Sequence, residues 1–398
     1  MRVLHVIPSL SAKDGGPSVA LPLMERALKG RGVEVTVATT VDGSSSARSG
    51  SPTAVPVEVE GTVRYYFRRQ TDYYKYSSDL SRWLDREVTK FDVVHVHALF
   101  SHASVTGALA ARRKSVPYII RPLGVLNEYG MTAKRALLKR ISFHFIERPL
   151  LEHASAVHFT SPQERTEAER LGICLRAVVL PIGIDLARFE HLPEAAEFLS
   201  AWPRASTRRL VLFLSRLDPK KGLEVLLDGF VAVRRQAPEA MLVVAGGGDA
   251  RYVEGLKARA ARLGIDQDIL WTGHLDERSK LGALGAASAF VLPSLSENFG
   301  IAAVEALAAG IPSVLSIGVG ISEEVLRAGA GMIVQNDPGA VADALVRILG
   351  DEGLSRALAV SARALARERY SLEAMGKGLI DLYTGIVEVR RDAGGRSI

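Results

Sequence analysis

Pro293-Ser-Leu-Ser-Glu-Asn-Phe-Gly-Ile-Ala-Ala-Val-Glu-Ala-Leu-Ala-Ala-Gly310 is the stretch of this 398-residue chain on which its interpretation turns. The apolar run Ala289–Leu292 ahead of it reads as a strand, its Pro, Ser and Asn as a turn, and the Ala-rich residues from about Phe299 as a helix. Glu297 then falls in the loop and Glu305 inside the helix, where the neighbours three and four positions away are Ile301, Ala302, Ala308 and Ala309. A carboxylate in those surroundings is buried and needs a partner. The turn, with Asn298, delivers the backbone N–H groups around Phe299, Gly300 and Ile301 at a helix N-terminus, which suits a phosphate. Two acceptors for hydroxyls flanking a phosphate cradle describe the binding of a sugar nucleotide.

Outward from this stretch the chain falls into two series of strands and helices. Strand-like runs at about 2–7, 33–40, 92–97, 117–122 and 156–160 alternate with helix-like segments at about 17–30, 76–89, 101–114, 134–152 and 162–171. A segment at about 187–207, with Pro193, Trp202 and Pro203, reads as a linker. Strands then recur near 209–215, 240–245, 268–272, 289–292, 313–317 and 331–334. Both series have the rhythm of a doubly wound parallel α/β sheet, and the length suffices for two cores. The expected division is 1–186, 187–370 and a closing helical segment, 371–398. Ligands of such sheets bind beyond the carboxyl ends of the strands, so the candidates are sought there.

A net charge of +6 and a pI near 9.4 admit phosphorylated ligands, anionic membrane or nucleic acid. Neither zinc-finger spacing nor a ribonucleoprotein aromatic motif is present, which sets nucleic acid aside. The single Cys174 cannot form an internal disulfide, and a reducing compartment is the simplest expectation. The opening run Met1–Pro8 is too short for a secretory signal, and the longest uncharged stretch, Ala306–Ser322, is broken by Pro312 and glycines, so no transmembrane segment is expected.

Several strand ends carry polar residues of interest. After the first strand, Gly15 and Gly16 would let the backbone approach a ligand closely, and an ordinary flexible loop is the other reading. Residues 42–54, rich in Ser and Gly, are expected to form a mobile excursion. Arg64–Tyr76 interleaves basic and aromatic residues, which fits stacking on sugar rings, a membrane interface, or a plain strand and loop. His95 and His97 share one face of a strand, and with no carboxylate or Cys cluster beside them they read as a structural pair rather than a metal site. His97 at the strand's end, His102 just after it, Arg121 and Asn127 are candidates for acceptor contact. The basic, amphipathic run 134–151 fits a membrane-surface helix and equally a helix packed on its own sheet. In the second half, Arg216 and Lys221 are presented at a strand's carboxyl end, where they can give charge-assisted bonds to phosphate. The loop Ala245–Asp249 lacks the third glycine of a dinucleotide fingerprint, which argues against an NAD-dependent oxidoreductase. Trp271-Thr-Gly-His274 ends a further strand on the same side.

With Glu297 and Glu305 separated by seven residues, and Arg216 and Lys221 upstream, the chain resembles the retaining GT-B glycosyltransferases of family GT4. The resemblance implies two Rossmann-like domains facing a central cleft, the first for the acceptor and the second for the nucleotide sugar, with the last helix crossing back to the first. It assigns Glu297 to the donor sugar, Glu305 to the ribose, Arg216 and Lys221 to the diphosphate, Gly15 and Gly16 to the diphosphate and acceptor, and His274 to the base or a phosphate. It makes Arg216, Lys221 and Glu297 the catalytic set, with no metal and no cofactor beyond the nucleoside-diphosphate sugar. Where many members carry His-Gly, this chain has Leu123-Gly124, so that histidine's role is not transferred. With the basic segments 64–76 and 134–151 on the acceptor side and no membrane span expected, the activity to expect is transfer to a glycan on a lipid carrier in bacterial surface polysaccharide synthesis, by a cytoplasmic enzyme peripheral on the inner membrane face. A GT-B sugar-nucleotide epimerase and an inactive nucleotide-sugar-binding protein are the alternatives, the latter prompted by Leu123.

Overall fold

A computed structural model describes residues 1–11, 16–41, 54–71, 74–127, 131, 136–193 and 195–395. The expected excursion at 42–54 falls, but for its last residue, outside them. The chain divides into two compact units, Met1–Gly183 with Leu372–Ile398, and Ile184–Ser371.

The first unit is built on β1 (Arg2–Ile7), β2 (Glu34–Val41), β3 (Pro56–Val59), β4 (Thr62–Arg68), β5 (Val93–His97), β6 (Tyr118–Arg121), β7 (Ala156–Phe159) and β8 (Ala177–Val179). Their order is β3-β4-β2-β1-β5-β6-β7-β8, with only β3 antiparallel to its neighbour. On one face Val3, Ile7, Val37, Val93 and Ile119 pack against helices Gly16–Leu28 and Leu372–Gly395 through Leu21, Met24, Leu379 and Tyr383. On the other, Leu4, Val6, Val94, Val96 and Ile120 meet Leu80, Trp83 and Leu84 of the helix Ser78–Glu87 and the alanines of His102–Arg113. Strands buried on both faces are near-continuous apolar runs, which is why these were legible. The last helix thus belongs to the first unit's own core.

β4 settles the aromatic and basic stretch. Glu60 and Gly61, both at positive φ, turn β3 into β4 as a tight hairpin. Within β4, Phe67 is fully buried, Tyr65 packs on Trp83 at 4.7 Å, and Arg64 is buried in an ion pair with Glu25. Arg64, Tyr65 and Phe67 are thus taken up in packing and pairing within the unit and offer no platform for a sugar ring.

The second unit holds β9 (Arg209–Leu214), β10 (Ala240–Ala245), β11 (Ile269–Gly273), β12 (Ala287–Leu292), β13 (Ser313–Ser316) and β14 (Met332–Val334), all parallel, in the order β11-β10-β9-β12-β13-β14. The segment at 187–207 is no linker: it folds into helices Ala187–Glu190 and Ala195–Ala201 and a short 3₁₀ turn of this unit. Phe189, Phe198 and Ala205 are buried, and Phe198 lies against Gly282. Its prolines break helices without releasing the chain from the core.

Candidate active site

In the second unit the sheet order reverses between β9 and β12, so the loops leaving their carboxyl ends lie side by side, where ligands of such sheets bind. The β9 loop holds Arg216 and Lys221. Asp218 accepts from Lys220 N at 3.1 Å and caps the 3₁₀ turn Pro219–Lys221, and Leu295 N donates to Lys220 O at 2.8 Å, tying this loop to the next. Gly222, at φ 70°, permits the approach, since a Cβ there would overlap the Pro293 carbonyl oxygen. Gly246 does the same further along, where a Cβ would overlap the carbonyl oxygen of Ser215. Gly248 likewise lies against the Leu217 carbonyl oxygen, so these two glycines of Ala245–Asp249 serve close packing of the loop that carries Arg216.

This packing brings Lys221, 5% exposed, into an ion pair with Glu297. Glu297 is itself pinned, its N–H donating to Gly318 O and its carbonyl accepting from Gly320 N, both at 2.8 Å. The helix Ile301–Ala309 follows with Gly300 at φ 90° as its N-cap, and no side chain caps its first N–H groups. Phe299 is buried edge-on to Tyr370 at 5.7 Å, and Tyr370 donates to Glu324 at 2.9 Å. Asn298 is half-buried, whereas Arg216 is exposed and forms no ion pair among the described residues.

Glu305 has a partner that the sequence did not reveal. Lys280 Nζ stands 2.6 Å from its Oε1, with the two side chains 18% and 13% exposed, and 3.2 Å from Glu277. Burial pushes the Glu305 carboxyl above its ordinary range, and Lys280 opposes that shift. The available signal was that Lys280 is the last charge before an uncharged run reaching Glu297. His274 lies exposed beyond β11, the edge strand, near Asp276, which accepts from Ser279 N at 2.8 Å.

In the first unit the order reverses between β1 and β5. Gly16 opens the helix Gly16–Leu28 and is exposed; Gly15 lies outside the described residues. His97 is fully buried, its Nε2 2.8 Å from His5 Nδ1, so the strand's end does not present it for acceptor contact as its position suggested. His102 is also committed: its Nδ1 accepts from Ser77 N at 3.2 Å, its Nε2 faces Ser81 Oγ at 3.2 Å, and Tyr76 packs on its ring at 4.4 Å. Asn127 is half-buried, and its carbonyl accepts from Met131 N at 2.9 Å. Leu123 takes a left-handed backbone, φ 62°, rare for a leucine, and Gly124 N donates to Glu164 Oε1 at 2.6 Å. Glu164, which the sequence did not single out, also accepts from Thr160 N and Oγ1, and burial raises its carboxyl.

Arg121 is 2% exposed, with Nη1 3.5 Å from Met24 Sδ and no hydrogen-bond partner for Nε among the described residues. Burial lowers it to about 10, opposed by Glu164. Beside it four imidazoles form a buried stack. His158 Nε2 lies 2.9 Å from Leu180 O, which can only accept, so this nitrogen carries a proton. In a neutral ring His158 Nδ1 then accepts from His95 Nε2 at 3.3 Å, and His95 Nδ1 accepts from Tyr383 O–H at 2.8 Å. Neutrality is what the surroundings impose: burial first, then neighbouring rings or Arg121, hold His5 and His158 at about 3 and His95 and His97 well below 6.5. His5, His95 and His97 bring one nitrogen each within 4.8 Å of one another. Both His95 nitrogens are spent, however, and the Arg121 guanidinium disfavours a further cation, so the stack reads as a neutral relay joining β5, β7 and the last helix.

Residues 196–365 match the family model described as glycosyl transferases group 1, and residues 15–183 the glycosyl transferase 4-like domain. The phosphatidyl-myo-inositol mannosyltransferase of Mycobacterium leprae is 29% identical over 394 residues, covering 96% of each chain. A GDP-mannose-dependent alpha-(1-6)-phosphatidylinositol monomannoside mannosyltransferase of Mycolicibacterium smegmatis is 29% identical over 60% of this chain and 64% of its own. Anabaena HepE, solved in complex with UDP and glucose, superposes with a TM-score of 0.76 at 18% identity, covering 96% of this chain and 99% of that one, which shows the GT-B fold.

Proposed function

The chain belongs to the group 1 glycosyl transferases, family GT4, and we propose that it is a retaining, metal-independent enzyme that moves a hexose from a nucleoside diphosphate to a hydroxyl of a lipid-linked glycan. The supporting observation is the double pair at the second unit's switch point, Lys221 with Glu297 in the loop before the helix Ile301–Ala309 and Lys280 with Glu305 inside that helix. A nucleotide sugar carries its own anion between two sets of hydroxyls. In this scheme Lys221 and Arg216 meet the diphosphate, Glu297 the sugar hydroxyls and Glu305 the ribose, with the N–H groups from Phe299 to Ile301 completing the anion site.

As the bond from the sugar to the phosphate oxygen breaks, negative charge grows on the diphosphate and the sugar becomes oxocarbenium-like. Fixed cations and N–H groups lower that barrier without reorganising, the task a metal performs elsewhere. The acceptor oxygen attacks from the face the leaving group vacates, its proton passes to the departing phosphate, and configuration is retained. The acceptor side is assigned to the first unit, near Asn127 and Gly16; Arg121, 2% exposed beside the histidine stack, is not presented to an acceptor as its strand-end position suggested.

The relatives are named for a phosphatidylinositol lipid and for mannose, which makes a lipid-linked acceptor the class to try and GDP-mannose the first donor. No described helix is long and apolar enough to cross a membrane, and we place the enzyme at the cytoplasmic face as a peripheral protein. The test is a thermal-shift screen of GDP-, UDP- and ADP-sugars followed by product analysis, since a ligand of the folded state alone raises its apparent stability. Free nucleoside diphosphate with an α-linked product from an α-linked donor supports the proposal. Conversion of the nucleotide sugar without acceptor would make it an epimerase, and affinity without turnover a binding protein.

A further inference from the structure

The helical stretch 136–153 has two apolar faces, and only one is used by the protein. It runs as Ala136–Ser142, a π-helical turn Phe143–Glu147, and Arg148–His153. Inward, Leu150 and Leu151 are buried in the first unit's core with Phe143 against them. The π turn brings residues five apart together, so Ser142 Oγ donates to the buried Glu147 carboxylate at 2.8 Å. Outward, Leu137, Leu138, Ile141 and Phe145 are 71, 54, 50 and 73% exposed, at spacings that align them along one side. No other ten-residue stretch among the described residues exposes as many large apolar side chains. Arg140 flanks the stripe in solvent, and Lys134 and Arg135 precede it in sequence.

We propose that this stripe is the surface by which the protein docks on an anionic lipid bilayer, the helix lying in the plane of the interface. The inference rests on the proposed lipid-linked acceptor and names the element that meets the lipid. The stripe spans nine residues, about 12 Å at the helical rise, by one helix face. That is far short of the roughly 800 Å² per partner that a stable protein interface needs, yet it is the geometry of an interfacial helix. Pairing two copies through it would also oppose the Arg140 cations of both, whereas anionic lipid complements them.

Flotation with vesicles of phosphatidylcholine alone, and of phosphatidylcholine with phosphatidylglycerol, at low and high salt, tests it on the full chain. The wild type should float with the mixed vesicles and lose part of that binding in high salt. The double variant Leu137→Ser, Phe145→Ser should lose at least about tenfold in partitioning, and Arg140→Glu should lose binding to the anionic vesicles. Both positions are solvent-exposed, so an unchanged unfolding midpoint verifies folding. Wild-type flotation of the double variant, no flotation of the wild type with either vesicle, or a dimer that the double variant dissociates would each overturn the proposal. The thermal shift given by nucleotide sugars without vesicles is measured alongside. Its absence with every nucleotide sugar counts against the function, and failed flotation with an intact shift counts against this inference alone.

Discussion

Mild acid should destabilise the first unit through its neutral histidine stack. His5 and His158 are held at about 3 by burial in the fold, against 6.5 in an unfolded chain. A depressed folded value means that the unfolded chain binds more protons below 6.5. Stability is therefore complete above about 6.5 and is lost progressively as pH falls towards 3. At about pH 5.5 each such histidine costs RT ln(1 + 10), about 1.4 kcal/mol, so the two cost about 3 kcal/mol. His95 and His97 are lowered as well and act in the same direction. Against a typical stability of about 5–15 kcal/mol this is a large fraction. Glu25, Glu147 and Glu164, raised by burial, act with the opposite sign because they take up protons in the folded state first.

The opposing carboxylates make a comparison of variants the decisive assay. Trp83 lies in the first unit, 5% exposed, and replacing Trp202 and Trp271 by Phe leaves it as the only tryptophan reporter. Urea unfolding followed by its fluorescence at about pH 7.5 and 5.5 gives the loss of stability directly, and His158→Gln should shrink that loss by about 1.4 kcal/mol. If His158→Gln left the loss undiminished, or the wild type lost nothing, the neutral-stack argument would fail.

At the candidate site, Lys221→Ala and Arg216→Ala should each lower turnover by about 10²–10³, and EDTA should leave the wild type unaffected, as steady-state rates will show. Lys280→Met leaves the Glu305 carboxylate buried and unpaired; it should cost about 3–5 kcal/mol in thermal or urea unfolding, and Glu305→Gln in the same chain should restore part of the loss. Gly222→Ala must place a Cβ on the Pro293 carbonyl oxygen at a left-handed φ, so it should destabilise by about 1–3 kcal/mol and weaken donor binding in calorimetry while circular dichroism stays unchanged.

How legible the chain was depended on whether a residue's partner lay near it in sequence or across the sheet. Runs such as Val93–His97 and Ala240–Ala245 are buried on both faces, and their composition announces it. β8, three half-buried residues, has no such run, and the 187–207 segment hid its packing behind prolines. Among candidate residues, strand-end position pointed to Lys221 and Glu297, which the switch point brings together although two strands separate β9 from β12 in the chain. Position could not tell a side chain facing solvent from one facing a neighbouring strand. His97 and Arg121 stand at strand ends as expected, yet His5 lies 92 residues away from His97 and Tyr383 lies 288 from His95. Leu123 shows the same limit at the backbone. Its left-handed turn costs about 1–2 kcal/mol for a residue with a side chain, and what holds it is Glu164, 40 residues on, bonded to Gly124 N. Glu164 therefore anchors the turn through the backbone of Gly124, a contact in which the Leu123 side chain takes no part.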